Sequence, residues 1–177
     1  GRSLANDMME RPGNRWGDPE FQDDPTLIDS SLSQLGTEQA LQLSKVLSTD
    51  QEIKRLQLVV VSPLTRAIET YRLGLSPILP TSVPVLLEPL ATERVYTASD
   101  IGRSVRELKQ EFGKENIDFG ILEGNVDEWW YQKPSDPSQE DIKEWRPHDA
   151  NQFYCVPGEP WHIFEERMKK LEIWLSQ

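Results

Sequence analysis

Apolar residues come in short, separated bursts along this chain. The densest is Leu56–Val61, where Leu58 to Val61 runs without interruption. A β-branched run of that length with no alternation predicts a strand covered on both faces, as in a parallel sheet. Val83–Leu87 predicts a second short strand. Between them, Ser62 reads as an N-cap and Pro63 as a first-turn residue of a helix running from Leu64 to Leu73 and ending near Gly74. Upstream, Ser33 caps a predicted helix that reaches Leu47. Leu32, Leu43, Val46 and Leu47 are expected to supply its buried stripe, and Thr49-Asp50 to end it. Strand, helix, strand in that order predicts an α/β fold with right-handed crossovers.

The rest of the chain is less regular. Residues 1–32 carry Asn, Asp, Pro and Gly in quick succession and read as irregular. Asp100–Phe112 has Ile101, Val105, Leu108 and Phe112 at helical spacing. Residues 113–157 are rich in Gly, Pro, Asp and aromatics and read as an inserted cap, with a short helix over Gln139–Trp145. Pro160–Leu175 predicts a last helix with Trp161, Phe164, Met168, Leu171 and Leu175 on one face. No internal repeat stands out. Two strands are few for a sheet, which usually has about 4–6, so further edge strands are expected beyond both ends. We read residues 1–177 as one domain, incomplete at both ends, with 113–157 inserted in it.

Composition narrows the function. The 177 residues hold 30 Asp and Glu against 19 Lys and Arg, a net charge of −11. That argues against a broad nucleic-acid surface or an anionic membrane as partner. A small anionic substrate fits, because a few arginines can build one basic pocket in an acidic protein. The single Cys155 allows neither an intrachain disulfide nor a Cys-based zinc site, and with only His148 and His162 no metal site is expected. No apolar run has membrane length and no signal peptide opens the chain, which favours a cytoplasmic location. The start at Gly1 without Met is what a processed or trimmed N-terminus gives.

The chemistry concentrates in Val59-Val-Val-Ser-Pro-Leu-Thr-Arg-Ala-Ile-Glu-Thr70. A strand here delivers Ser62 and a helix N-terminus to the carboxyl edge of a sheet, where ligands of open α/β sheets bind. Free N–H groups and the helix dipole suit a phosphate there, and Arg66 in the first turn offers a two-pronged donor. The plainer alternative for Arg66 is a solvated helix charge. Ser62-Pro-Leu-x-Arg-Ala-x-x-Thr70 resembles a signature of the histidine phosphatase superfamily, the phosphoglycerate-mutase-like family. Four further segments resemble that family in order: Gly1-Arg-Ser-Leu-Ala-Asn6, Asp29 to Ala40, Leu90-Ala-Thr-Glu93 and Gly158-Glu159.

The resemblance implies a three-layer α/β/α sandwich of the phosphoglycerate-mutase type, with the aromatic-rich insert as its cap. It implies a phosphate-monoester hydrolase that works through phosphohistidine, with no cofactor and no metal, on a small phosphorylated substrate. Arg66, Asn6 and Gly1 match phosphate-pocket positions, and Glu93 matches the proton donor. Glu88, which also ends a strand, competes with Glu93 for that role. The family's nucleophilic His would directly precede Gly1 and its second His would follow Gln177; neither His148 nor His162 matches a motif position. The chain as it stands is therefore expected to be inactive, and the complete protein active. A pseudophosphatase that binds phosphorylated ligands and a phosphoglycerate-type mutase are the alternatives. The absence of a longer basic segment after Glu93 points away from the mutase. Arg94, Arg103 and Arg106 read as solvated charges, with contact to a second anionic group of the substrate as the alternative. The Trp-rich stretch 126–161 is expected either over the pocket mouth or as a structural cluster.

Overall fold

The computed structural model describes residues 1–15, 24–123, 129–130 and 159–177. Its helices are α1 (Leu4–Met9), α2 (Gln34–Leu47), α3 (Thr65–Gly74), α4 (Val105–Phe112), α5 (Gly120–Glu123) and α6 (Trp161–Leu175). At the centre, β1 (Val59–Val61) and β2 (Val85–Leu87) pair in parallel, with Val59 opposite Val85 and Val61 opposite Leu87. Both strands are shorter than the apolar runs predict. A 3₁₀ turn over Gln51–Arg55 precedes β1, and Leu56 and Leu58 stay exposed. Pro84 accepts a bond from the Val59 amide at 3.0 Å, but it has no N–H to continue the ladder.

Asp118 extends the sheet beyond β2. Its amide donates to the Val85 carbonyl at 2.7 Å, and its carbonyl accepts from Leu87 at 3.1 Å. Residues 113–123, read from sequence as the start of a cap, thus feed the sheet and bury Phe119 and Leu122 in the core. Trp129 and Trp130 are buried with them, edge to face at 5.5 Å. The short helix expected over Gln139–Trp145, together with His148 and Cys155, lies outside the described residues.

Three helices depart from their predicted faces or starts. In α2 the Ser33 cap forms as expected, its hydroxyl accepting from the Gly36 amide at 3.1 Å. The buried positions are Gly36 and Ala40, however, while Leu43 and Val46 are exposed. Small residues let two backbones approach. A Cβ on Gly36 would lie 1.9 Å from the Arg2 carbonyl oxygen, so only glycine fits. Helix α4 starts at Val105 rather than Asp100. Ser104 and Glu107 cap it reciprocally, and a Cβ on Gly102 would lie 2.1 Å from the Trp129 ring. Only glycine leaves room for the indole at that position. In α6 the buried residues are Ile163 and Arg167, whereas Trp161 and Leu175 of the predicted face are exposed.

Residues 1–15 and 24–32 hold more regular structure than their composition predicts. Ser3 and Asn6 cap α1 reciprocally, a capping box with Asn in place of the usual Glu or Gln. Ser3 also pairs with Leu32 across an antiparallel bridge. Ala5, Met9 and Leu27 make a small core of their own.

Candidate functional site

Arg66 stands in the first turn of α3, just past the carboxyl end of β1. Its side chain is 14% exposed. One Nη donates to the Ser99 carbonyl at 2.5 Å. The other bridges two carboxylates, Glu93 Oε2 and Asp100 Oδ1, each at 2.9 Å. These carboxylates differ sharply in access, with the Glu93 side chain 68% exposed and that of Asp100 9%. Asp100 is fixed by its own neighbours, its other oxygen accepting from the amides of Tyr96 and Thr97 at 3.1 and 3.0 Å. Asp100 is a built-in partner of Arg66, and Glu93 is an exchangeable one.

The helix that carries Arg66 is capped from a distance. Leu64 is its N-cap residue and supplies no side-chain bond. Ser62 accepts only from the Leu64 amide, at 3.4 Å. The expected Ser62 cap is replaced by Asp29, whose carboxylate accepts from the Thr65 amide at 2.7 Å and from the Thr65 hydroxyl at 2.5 Å. Arg103 closes the cluster, its Nε donating to Asp29 at 3.0 Å and one Nη to Thr65 Oγ1 at 2.6 Å. Burial alone would lower the Arg103 pKa, but hydrogen bonds to Glu111 and Asp29 hold it above its ordinary value. Asp29 has φ of 46°, in the left-handed region that Asp tolerates better than most residues. At Thr65 the helix N-terminus predicted to receive phosphate already faces a carboxylate of the protein itself.

Glu93 is held through its backbone. It sits in the turn after β2, between Leu90 and Val95. The Arg167 guanidinium, 1% exposed, donates to the carbonyls of Leu90 (3.0 Å), Thr92 (2.6 Å) and Glu93 (3.0 Å). Its remaining donors form a two-pronged pair with Glu159, at 3.2 and 2.9 Å. Glu159 is equally buried and also accepts from the Val95 amide at 3.2 Å. A sealed arginine with every prong engaged keeps this turn in place. Glu88 is buried and accepts from the Leu90 amide at 2.8 Å, where it caps the following 3₁₀ turn.

These groups surround a cavity of about 320 Å³ lined by Arg66, Asn6, Glu93, Asp100, Arg94 and Trp161, among others. Of the residues singled out from sequence, Arg66, Asn6 and Glu93 come together here; Glu88 does not line it. Asn6 accepts from the Ser3 amide and hydroxyl at 3.1 and 2.7 Å. Gly1 is not among the lining residues either. Its amino group donates to Thr70 Oγ1 at 3.0 Å, one turn along α3 from Arg66. Arg94 lines the cavity, Arg103 serves the Asp29 cluster, and Arg106 is exposed. His162 does not line the cavity. Asp100 and Trp161 were missed as site residues. The sequence pattern reads Asp100 as the start of a helix and Trp161 as one of the residues lining one face of the last helix. Among the described residues, no cluster of His, Cys, Asp or Glu is placed to hold a metal ion, and no helix is long and apolar enough to cross a membrane.

Fold and site together define an α/β protein with an arginine-centred cavity, built from segments that follow the carboxyl ends of two parallel strands. Residues 21–119 match the family model of the histidine phosphatase superfamily (branch 1), and the chain belongs to that superfamily. The match includes Asp29, Arg66, Glu93 and Asp100; Gly1, Asn6 and Glu159 lie outside it. A comparison with curated proteins gave no match.

Proposed function

We propose that this cavity is the phosphate site of a phosphate-monoester hydrolase that works through phosphohistidine. The observation that carries the reading is Arg66, a positioned cation at the cavity paired with the solvent-exposed carboxylate of Glu93. In the proposed cycle a phosphate dianion displaces the Glu93 carboxylate from Arg66. Glu93 loses a cation and gains an anion beside it, which favours uptake of a proton. A histidine nitrogen attacks phosphorus, the ester P–O bond breaks, and Glu93 gives its proton to the leaving oxygen. The Glu93 carboxylate then takes a proton from water. The resulting hydroxide attacks phosphorus, the P–N bond breaks and phosphate leaves. Positioning and charge stabilisation supply most of the rate in such chemistry.

The nucleophile in this reading is a histidine directly ahead of Gly1. The bond from Gly1 to Thr70 supports it, since it sets that end of the chain beside the helix of Arg66. Asn6 is the proposed accessory phosphate contact, and no cofactor enters. The finer architecture, a three-layer sandwich, belongs to the same proposal, while most of the Trp-rich stretch 126–161 lies outside the described residues.

The test uses protein expressed from the full transcript, assayed for orthophosphate release from simple phosphate esters. Arg66→Ala is expected to lower turnover by about 10²-fold or more, as loss of a transition-state donor does. Unchanged turnover in that variant would overturn the site. Tight phosphate binding with no turnover would identify a phospholigand-binding domain instead. A product that keeps its phosphate would identify a mutase.

A further inference from the structure

The cavity has a second wall that a phosphate group does not need. Trp161, the first residue of α6, is 64% exposed yet lines the cavity together with Arg66. An indole left that open is unusual for a residue that buries well. It is also held in place. The Arg94 guanidinium lies 4.5 Å from the centroid of the Trp161 ring and 5.4 Å from that of Tyr96. Arg94 Nε donates to the Glu159 carbonyl at 2.7 Å, and the Glu159 amide in turn donates to Val95 at 2.7 Å. Phe164 supports the indole edge to face at 5.9 Å. Trp161 is thus a fixed aromatic surface, anchored through the same buried Glu159 that orders the Glu93 turn.

The dimensions leave room for more than phosphate. A volume of about 320 Å³ equals roughly ten waters' share of liquid, well beyond one phosphoryl group. Its lining combines the polar Arg66, Ser99 and Asp100 with the apolar surfaces of Ala5, Tyr96 and Trp161. We infer that Trp161, backed by Arg94, is a stacking subsite for the organic part of the ligand, which selects phosphate monoesters that carry an aromatic ring. Stacking on an indole favours flat π-systems over polyols of similar size. The inference rests on the phosphate reading of Arg66 and adds the class of ester.

Binding separates the two without requiring turnover. Orthophosphate, glycerol 3-phosphate and phenyl phosphate are titrated calorimetrically into the full chain, Trp161→Ala, Trp161→Phe and Arg66→Ala. Phenyl phosphate is expected to bind roughly tenfold tighter than glycerol 3-phosphate. The preference is expected to vanish in Trp161→Ala, to survive in Trp161→Phe, and to leave orthophosphate affinity unchanged in both. The exposure of Trp161 means that neither change should disturb folding. Equal affinities for the two esters in the unmodified chain, with orthophosphate still bound through Arg66, would sink the stacking subsite and spare the phosphate site. A preference that persists in Trp161→Ala would do the same. Failure of all three ligands to bind would sink both readings together.

Discussion

Two arginines in this domain make the same kind of contacts and do opposite work. Arg167 and Arg66 each pair with a carboxylate and donate to backbone carbonyls. Arg167 and its partner Glu159 are both 1% exposed, whereas Arg66 has one partner, Glu93, that is 68% exposed. A sealed pair cannot exchange partners without paying for two buried charges, so it fixes geometry. An open pair is screened and individually weak, so it gives way to a better anion. The Arg103–Asp29 pair lies between them, with Asp29 fully buried and Arg103 partly open. Access of the partner carboxylate to water separates an anchor from a binding site here.

The sharpest way to break the comparison is at its sealed end. Arg167→Met leaves Glu159 buried and unpaired and is expected to destabilise the fold by about 3–5 kcal/mol, read from urea denaturation midpoints. Adding Glu159→Leu should recover only part of that loss, because it removes the unpaired carboxylate but leaves the Leu90, Thr92 and Glu93 carbonyls without their donor. A single variant as stable as the parent would show that Arg167 is no anchor.

The intermediate pair predicts an intermediate effect. Asp29→Ala strips bonds from Thr65 and Arg103 together and should cost about 2–3 kcal/mol in the same assay. A loss as large as that of Arg167→Met would erase the proposed ordering by access. Glu107 calibrates the exposed end by pH. Its bonds to the Ser104 hydroxyl and amide, chiefly the former, hold its pKa below the ordinary value. A depressed pKa means stability that is present above about pH 4.3 and lost as pH falls through the folded-state value. Glu107→Gln should flatten that part of the acid denaturation profile, and Ser104→Ala should cost about 1 kcal/mol at neutral pH. The smallest stability effect belongs to Glu93→Gln, under about 1 kcal/mol. The same change removes the competing anion from Arg66 and should tighten orthophosphate binding by up to about fivefold. Weaker binding in calorimetry would mean that Glu93 holds the anion rather than competing with it.

The open end of this comparison was readable in the sequence and the sealed end was not. Arg66 lies in a short motif after a predicted strand, where local pattern was enough to bring it to a sheet edge, and Glu93 was reached through the family resemblance. The strands and α2 were legible for the same reason, as runs of one period with recognisable starts. Asp29 was visible only as part of a motif, because its bond to Thr65 spans 36 positions and no local signal reports a cap supplied from so far away. Arg167 ran against the pattern outright. A helical wheel turns Trp161 and Leu175 inward and an arginine outward; the structure buries Arg167 and exposes both. The carbonyls of the Leu90–Glu93 turn, the Thr92 hydroxyl and the Glu159 carboxylate together satisfy the buried guanidinium. The sequence pattern puts Asp100 at the start of a helix, whereas it ends a 3₁₀ turn and the helix begins after the Ser104 cap.

The bonds that Arg167 sends to the Leu90–Glu93 turn also separate two clocks. The Glu93 carboxylate, out in solvent, can change rotamer in picoseconds to nanoseconds. The backbone beneath it is tied to a guanidinium that no water reaches. Its opening is expected to be slow, and hydrogen exchange at the Val95 amide, which donates to buried Glu159, is expected to be strongly protected. The proton carrier proposed for this site therefore moves at the speed of a surface side chain on a slowly opening backbone.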